Sequence, residues 1–123
     1  MLYKGKEKLE GVHPNLVKVA LRAGEITGEH KFNVAEGPRT KERQAQMLKE
    51  GKSKTMNSKH CLSPSHAIDI YPISPDGKQI LWGKADFDVI TNAFKQAAKE
   101  LDVKIVCGTD WTKFVDRPHI ELA

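Results

Sequence analysis

The sequence predicts an α+β fold in which an antiparallel sheet is flanked by helices. Two long stretches, from Asn15 to Ile26 and from Ala85 to Leu101, carry apolar residues at helical spacing. Short segments with alternating or continuous apolar residues lie between and after them, and most are bounded by Gly or Pro. Because 123 residues with 39% hydrophobic content suffice for one modest core, we expect a single domain over residues 1–123.

The first helix follows a His-Pro pair, and Asn15 is either its cap or a first-turn residue. Its core-facing residues recur at helical spacing: Leu16, Val19, Ala20 and Ala23. The next segment, KFNVAEG, places Phe32 and Val34 in alternation and ends at a Gly-Pro pair. This pattern predicts a strand that runs into a turn.

A second helix is predicted for RTKERQAQMLKEG. Thr40 is its expected N-cap, and Gly51 is the glycine expected just past its end. We expect Met47 and Leu48 to face inward. The polar residues from Lys52 to Pro64 then predict a loop.

The segment HAIDIYP predicts a strand with two different faces. Ile68 and Ile70 share one face, whereas Ala67, Asp69 and Tyr71 share the other. Asp69 therefore points away from the isoleucines, toward whatever lies over the other side of the sheet.

A hairpin around Asp76-Gly77 is predicted next, since Asp-Gly is a strong turn signal. The longest helix follows, and its core-facing residues are Phe87, Ile90, Phe94, Ala97 and Leu101. After this helix, VKIVCG predicts a buried strand and TDWTKFVDR a loop.

The last segment, PHIEL, predicts a final strand with two chemically different faces. Ile120 and Leu122 share one face, and His119 and Glu121 share the other. His119 is thus expected on a polar face, as Asp69 is.

Charge and composition limit the possible partners. The formal net charge is +4 and the pI is about 9.1, a mild bias that nucleic acid or an anionic cell surface would complement. The basic residues are dispersed along the chain, and there is no arginine-rich run or RNA-binding aromatic signature. We therefore expect no nucleic-acid partner.

The sequence also limits the expected compartment. No stretch reaches the roughly 18 apolar residues that span a bilayer, and the first residues lack the continuous apolar segment of a leader. We expect synthesis in the cytoplasm without stable membrane insertion. Cys61 and Cys107 cannot make a disulfide framework and are expected as thiols.

The segment SKHCLSPSHAID concentrates metal-ligating side chains, and a later histidine completes the candidates: His60, Cys61, His66, Asp69 and His119. Catalytic zinc sites use three protein ligands. Adjacent residues such as His60 and Cys61 rarely reach one ion, and His66, three residues before Asp69, projects from the opposite strand face. His60, Asp69 and His119 remain a plausible set, although spacing alone is also compatible with a site that binds no metal.

Three segments together resemble one family. SKHCLSPSHAID is similar to the Ser-x-His…Ala-x-Asp signature of zinc peptidases that include D-alanyl-D-alanine carboxypeptidases and dipeptidases and the L-alanyl-D-glutamate endopeptidases of phage endolysins. DWTKFVDRPHIEL resembles the closing motif of the endolysin branch, and EGPRTKERQ resembles the Arg-Thr-x-x-x-Gln segment that precedes the first motif. The three motifs occur in family order within residues 36–122.

The resemblance implies a Hedgehog/D-Ala-D-Ala peptidase-like fold with a zinc cleft. It makes His60, Asp69 and His119 the Zn²⁺ ligands, Asp116 the general base and Arg39 the residue that stabilises the transition state. Zinc held by two neutral imidazoles and one carboxylate keeps a positive charge, which activates water and polarises the scissile carbonyl. Aspartate rather than glutamate at the base position assigns the chain to the endolysin branch.

The first motif differs from its commonest form in two places. His60 and Asp69 are nine positions apart instead of seven, and we interpret Ser63-Pro64 as part of a two-residue insertion. Ser65 takes the place of the usual glycine.

Further residues of these motifs are expected to contact substrate or support the metal ligands: Ser58, His66, Gln44 and Trp111. Structural interpretations remain open for all the candidates. His119 and Asp69 could serve packing and backbone hydrogen bonding alone. Asp116 could cap a turn or pair with Arg117, and Arg39 could form a surface salt bridge with Glu36 or Glu42.

The expected function is that of a phage endolysin, a zinc metallopeptidase that hydrolyses the L-alanyl-D-glutamate bond of the peptidoglycan stem. We expect a monomer that reaches the wall after a holin opens the membrane. A D,D-carboxypeptidase or dipeptidase is the alternative within the same enzyme class. A non-catalytic zinc-binding domain is the alternative outside it, although such a domain would have no use for a base at Asp116.

Overall fold

The computed structural model describes residues 1–52, 58–113 and 115–123, which form a five-stranded sheet and three helices. The strands are β1 Leu2–Lys4, β2 Lys31–Glu36, β3 Ala67–Ile73, β4 Ile105–Cys107 and β5 His119–Leu122. The helices are α1 Pro14–Thr27, α2 Lys41–Lys49 and α3 Lys84–Glu100. The α+β prediction is confirmed.

The sheet order is β1-β2-β3-β5-β4. The pairs β2-β3, β3-β5 and β4-β5 are antiparallel, as predicted, whereas β1 runs parallel to β2. Strand β1 was not predicted, because its three residues are too few to show a pattern. The sheet is therefore mixed, with a parallel strand at one edge.

Helix α1 begins with a proline, Pro14, at its first helical position. Pro14 has no N–H to leave unpaired at the first helical position. The side chain of His13 is the cap, since its Nδ1 accepts a hydrogen bond from the Asn15 N–H at 3.1 Å. Asn15 is consequently a first-turn residue, which is one of the two positions predicted for it.

Helices α1 and α3 pack against one face of the sheet and enclose the core there. Ile68 and Ile70 of β3 and Ile120 of β5 are fully buried on that face. The rings of Phe32 and Phe94 meet edge to face at 5.5 Å. Because side chains alternate along a strand, the opposite face is left free for polar groups.

Both predicted end signals of α2 are present. The Thr40 hydroxyl accepts a hydrogen bond from the Arg43 N–H at 3.1 Å, and Gly51 has a φ of 78° just past the helix. The predicted inward face is wrong, however. Leu48 is 39% exposed and Met47 is only partly buried, whereas Gln44 is fully buried.

The C-terminal elements depart from the predictions at their ends. Leu101 is 40% exposed because α3 ends at the preceding residue. Strand β4 lies at the sheet edge, so that Ile105 and Val106 are only partly buried. Among the described residues, no helix is long and apolar enough to cross a bilayer.

The predicted hairpin at Asp76-Gly77 is a turn whose second arm is not a regular strand. The Gly77 N–H donates to the Ser74 carbonyl at 2.8 Å, and Gly77 has a φ of 77°. Ile80 pairs with Ile73 in a single isolated bridge. This short arm nevertheless continues along the end of β3.

The two predicted loops are described in part. Residues 53–57 of the loop from Lys52 to Pro64 lie outside the described residues, and the rest contains a 3-10 turn over Lys59–Cys61. Residue 114 of the TDWTKFVDR loop also lies outside them. Another 3-10 turn, over Gly108–Asp110, follows β4. Cys61 and Cys107 are free thiols, as expected.

Two leucine substitutions test the packing of the helices. Leu16→Ala removes a fully buried side chain of α1 and is expected to lower the free energy of unfolding by about 2–5 kcal/mol. Leu48→Ala, the same change at an exposed position of α2, is expected to change it by less than about 0.5 kcal/mol. Denaturant unfolding measures both. Equal losses would show that Leu48 packs inward after all.

Candidate metal centre

Strand register brings three polar side chains into one row across the sheet. Asp69 of β3 pairs with Glu36 of β2 on one side and with His119 of β5 on the other. All three strands are antiparallel neighbours, so directly opposed residues lie on the same face. The row occupies the face opposite the core isoleucines, as the alternation in HAIDIYP and PHIEL predicts.

His60 reaches this row from the 3-10 turn before β3. The Ser58 hydroxyl accepts a hydrogen bond from the His60 N–H at 3.2 Å, and the His60 carbonyl accepts one from the Arg39 N–H at 2.9 Å. The ring Nδ1 donates to the Gly37 carbonyl at 2.8 Å. The ring is 1% exposed, and its Nε2 lies 3.2 Å from Asp69 Oδ1.

The longer interval between His60 and Asp69 does not separate the two side chains. The His66 N–H donates to the Lys59 carbonyl at 2.9 Å, which closes the loop that holds the two extra residues. Ser65, at the position of the usual glycine, is fully buried and donates to the carbonyl of Ala67 at 2.9 Å. The insertion is therefore accommodated outside the polar row.

His60, Asp69 and His119 converge on one point. His119 Nδ1 lies 3.5 Å from Asp69 Oδ1, and the two imidazole rings are 5.1 Å apart. One ligand atom from each of the three residues lies within 4.8 Å of the others. Cys61 and His66 are not members of this group. The ring of His66 instead contacts that of His13 at 5.1 Å.

Glu121 holds His119 in place through a contact that the sequence pattern does not predict. His119 Nε2 donates to Glu121 Oε1 at 2.8 Å, and Glu121 Oε2 pairs with Lys59 Nζ at 2.9 Å. A carboxylate on the outer nitrogen fixes the orientation of a ligating imidazole and leaves the other nitrogen for the metal. The signal in the sequence was that Glu121 follows His119 by two residues, which places both side chains on the same face of the strand.

The Trp111 ring packs against His119 as well, with the two ring centroids 5.0 Å apart.

Arg39 is engaged by two carboxylates and an amide. Its Nε and Nη2 donate to the two oxygens of Glu36 at 2.8 and 2.9 Å, and Nη1 donates to Gln44 Oε1 at 2.7 Å. Nη2 also donates to Asp69 Oδ2 at 3.2 Å. The side chain is 5% exposed, so this is not a surface salt bridge. The guanidinium is therefore positioned to orient the Asp69 carboxylate.

The close approach of Asp69 to His60 and His119 shifts pKa values within the group. Burial raises the pKa of Asp69, but hydrogen bonds from His119 and His60 outweigh it, and the net pKa is well below its usual range. Burial lowers the pKa of His119, but Asp69 and Glu121 outweigh it and raise the pKa to about 9.

Asp116 lies beside the row, on the segment that leads into β5. Its N–H donates to the Gly108 carbonyl at 3.0 Å, and its carbonyl accepts from the His119 N–H at 3.1 Å. A Cβ at Gly108 would lie 2.1 Å from the Asp116 carbonyl oxygen, so only glycine permits this approach. Burial and the nearby charge of Asp69 raise the pKa of Asp116.

The alternatives considered for the Asp116 side chain are not found. Within the ranges that the structure describes, Asp116 forms no ion pair with Arg117, and no side chain donates a hydrogen bond to its carboxylate. Its backbone, not its side chain, makes the turn before His119.

The chain is similar to known peptidases over nearly its whole length. The profile of the family described as phage L-alanyl-D-glutamate peptidase matches residues 2–123. The L-alanyl-D-glutamate peptidase of Escherichia phage T5 is 39% identical over 113 residues, which cover 88% of this chain and 79% of that protein. The L-alanyl-D-glutamate peptidase of Listeria phage A118 is 36% identical over 83 residues, 68% of this chain but only 27% of that protein.

A solved structure shares the fold. The crystal structure of the Serratia marcescens L-Ala D-Glu endopeptidase ChiX superposes with a TM-score of 0.89 at 32% sequence identity. The match covers 100% of this chain and 89% of that one.

Arg39→Lys separates an orienting role from a transition-state contact. Lysine keeps the charge but cannot bond Glu36, Gln44 and Asp69 together, so we expect zinc affinity to fall about 10- to 100-fold. Competition with a chromogenic chelator measures this affinity. Arg43→Lys, an exposed change on α2, is the matched control. Unchanged zinc affinity with slower turnover would instead support a direct contact with the transition state.

Zinc affinity is expected to rise with pH. A histidine must be neutral to ligate, so below about pH 9 a metal ion would have to displace the His119 proton, and zinc affinity is expected to gain about tenfold per pH unit between about pH 6.5 and 9. In the metal-free protein the raised pKa contributes stability that is complete below pH 6.5 and is lost as the pH rises through about 9. Chelator competition and thermal melts follow the two trends. A pH-independent affinity across this interval would contradict the assignment.

Proposed function

The chain belongs to the phage L-alanyl-D-glutamate peptidase family, and from that premise we propose that it is a zinc metallopeptidase that hydrolyses the L-alanyl-D-glutamate bond of the peptidoglycan stem. One observation carries the proposal. The ligand atoms of His60, Asp69 and His119 lie within 4.8 Å of one another, on the sheet face away from the core. The whole chain would act as one catalytic domain.

The donor set fits zinc. Two imidazole nitrogens and one carboxylate oxygen are ligands that Zn²⁺ takes in catalytic sites, with a fourth position left for water or substrate. His60 would contribute Nε2, Asp69 Oδ1 and His119 Nδ1, since the outer nitrogens already donate to the Gly37 carbonyl and to Glu121. When bound, zinc supplies Lewis acidity, which polarises the scissile carbonyl and lowers the pKa of a water to about 7.

Asp116 is the proposed general base. Its carboxylate takes a proton from the attacking water as the water oxygen bonds to the L-alanyl carbonyl carbon. The same carboxyl group then gives this proton to the D-glutamyl nitrogen as the C–N bond breaks. The raised pKa of Asp116 supports the role, because a carboxylate of higher pKa is a stronger base.

Two other side chains shape the cleft in this proposal. Arg39 orients Asp69 by holding Oδ2, which leaves Oδ1 toward the two histidines. Trp111 packs against the ring of His119 and forms a wall beside it. Neither residue takes or gives a proton.

The endopeptidase assignment is better supported than a D,D-carboxypeptidase or dipeptidase. A carboxypeptidase needs a cation for the terminal carboxylate of its substrate, and Arg39 is the residue of the motif that would supply it. The guanidinium is already paired with Glu36 and Asp69 and is 5% exposed. Because these two carboxylates of the protein already occupy the guanidinium, it is not available to bind the terminal carboxylate of a substrate.

We propose that the enzyme acts as a monomer on wall peptidoglycan and reaches it from the cytoplasm after a holin opens the membrane. The phage origin of the two related peptidases supports this route. A net charge of +4 would add weak attraction to anionic wall polymers.

Asp116→Asn tests the reaction and the base together. Digestion of purified peptidoglycan by the wild-type enzyme should expose new D-glutamate amino termini, detected by mass spectrometry with end-group analysis, and a zinc chelator should abolish them. Asparagine cannot accept the proton, so we expect a loss of about 10²- to 10⁴-fold in rate. Zinc content should be unchanged, because Asp116 is not a ligand in this proposal.

The control is Asp102→Asn, at an exposed residue whose positive φ asparagine tolerates. Release of D-alanine alone would assign the enzyme to the carboxypeptidases. No release by zinc-loaded protein would favour a non-catalytic domain. Full activity of Asp116→Asn with zinc bound would exclude Asp116 as the base.

A further inference from the structure

An exposed aromatic pair continues the sheet face that carries the metal centre. Ile80 bridges Ile73 in antiparallel register, and the Leu81 N–H donates to the Pro72 carbonyl at 2.9 Å. In this register Trp82 lies opposite Tyr71, and the two rings meet edge to face at 5.3 Å. Together they form what we call the aromatic platform, defined as Tyr71 and Trp82.

The platform lies one cross-strand pair along from the metal ligands. Asp69 and Tyr71 are two residues apart on β3 and so share a face, about 7 Å from each other. Asp69 is opposed by His119, and Tyr71 by Trp82. The platform thus occupies the position next to the metal centre on the same face.

Tyr71 is partly buried, and its ring also packs edge to face against that of Phe87 at 6.3 Å. Trp82 is 65% exposed, far more than is usual for an indole. Its ring is held at one edge by Tyr71 and remains open to a ligand.

We propose that the aromatic platform is a subsite for the sugar ring to which the stem peptide is attached. This inference rests on the proposed function. In peptidoglycan the L-alanine is joined to the sugar through a lactyl ether, whose three-atom backbone has the length of one residue. L-alanine and the lactyl group together span about 7 Å. With the scissile bond over Asp69 and His119, the sugar therefore lies at Tyr71 and Trp82.

The chemistry of the platform favours the sugar side of the substrate. The face of an aromatic ring is negative, and it attracts the weakly positive C–H groups on the face of a pyranose. The D-glutamyl side carries carboxylates, which a negative ring face repels. An uncharged ring at this distance is thus the better occupant.

Two substrates with one peptide sequence test the inference. In the first, L-alanine carries the lactyl-linked sugar, and in the second an acetyl group replaces both lactyl group and sugar. Trp82→Ala is expected to lower kcat/KM about fivefold to tenfold for the first substrate, mainly through KM, and to leave the second unchanged. Calorimetric binding of the uncleaved sugar-linked substrate to zinc-free protein should weaken by the same factor.

Two variants serve as controls. Trp82→Phe keeps an aromatic face and should retain most of the preference for the sugar-linked substrate. Leu21→Ala removes a different exposed apolar side chain, on α1, and should affect neither substrate. Equal losses on both substrates in Trp82→Ala, or no loss on either, would overturn the sugar subsite while leaving the peptidase function intact. If wild-type protein cleaves neither substrate, the proposed function fails, and the subsite fails with it.

Discussion

The partly buried carboxylate of Asp69 is the group on which the site depends. A charge taken out of water is costly unless charged or polar partners compensate for it. Here Oδ1 faces both His60 and His119, and Oδ2 accepts from Arg39. The same contacts that make the charge tolerable also fix the directions of both imidazoles. The contacts that stabilise the Asp69 charge are therefore the same ones that orient the proposed metal ligands. Replacing His60, His119 or Arg39 would affect both the charge and the orientation.

Strand alternation lets one short segment serve the core and the site at once. Ile68 and Ile70 pack against the helices, while Asp69 between them faces the cleft. A register slip of one residue would bury the carboxylate among apolar side chains and expose the isoleucines. The apolar packing of β3 thus fixes the register that opposes Asp69 to His119. The arrangement of polar side chains on one face of β3 is thus maintained by the burial of apolar side chains on the other face.

The sequence allowed accurate prediction where local patterning decides the structure. Alternation alone correctly separated the faces of β3 and β5, and so placed Asp69 and His119 on one side of the sheet. It could not reveal that Arg39 engages Asp69, because that contact depends on how segments 30 residues apart meet. Leu48 was misassigned for a related reason. The inward face of α2 serves this polar network, so that a buried glutamine took the place expected for leucine.

The surroundings of the two carboxylates in the cleft shift their pKa values in opposite directions. Hydrogen bonds from His119 and His60 lower the pKa of Asp69, whereas burial and the charge of Asp69 raise the pKa of Asp116. A carboxylate of low pKa stays charged and suits a permanent ligand, whereas one of raised pKa exchanges protons more readily. The proposed division between metal ligand and base thus follows from hydrogen bonding at Asp69 and from burial and charge repulsion at Asp116. Asp69 is saturated with donors, and the Asp116 carboxylate meets none among the described residues.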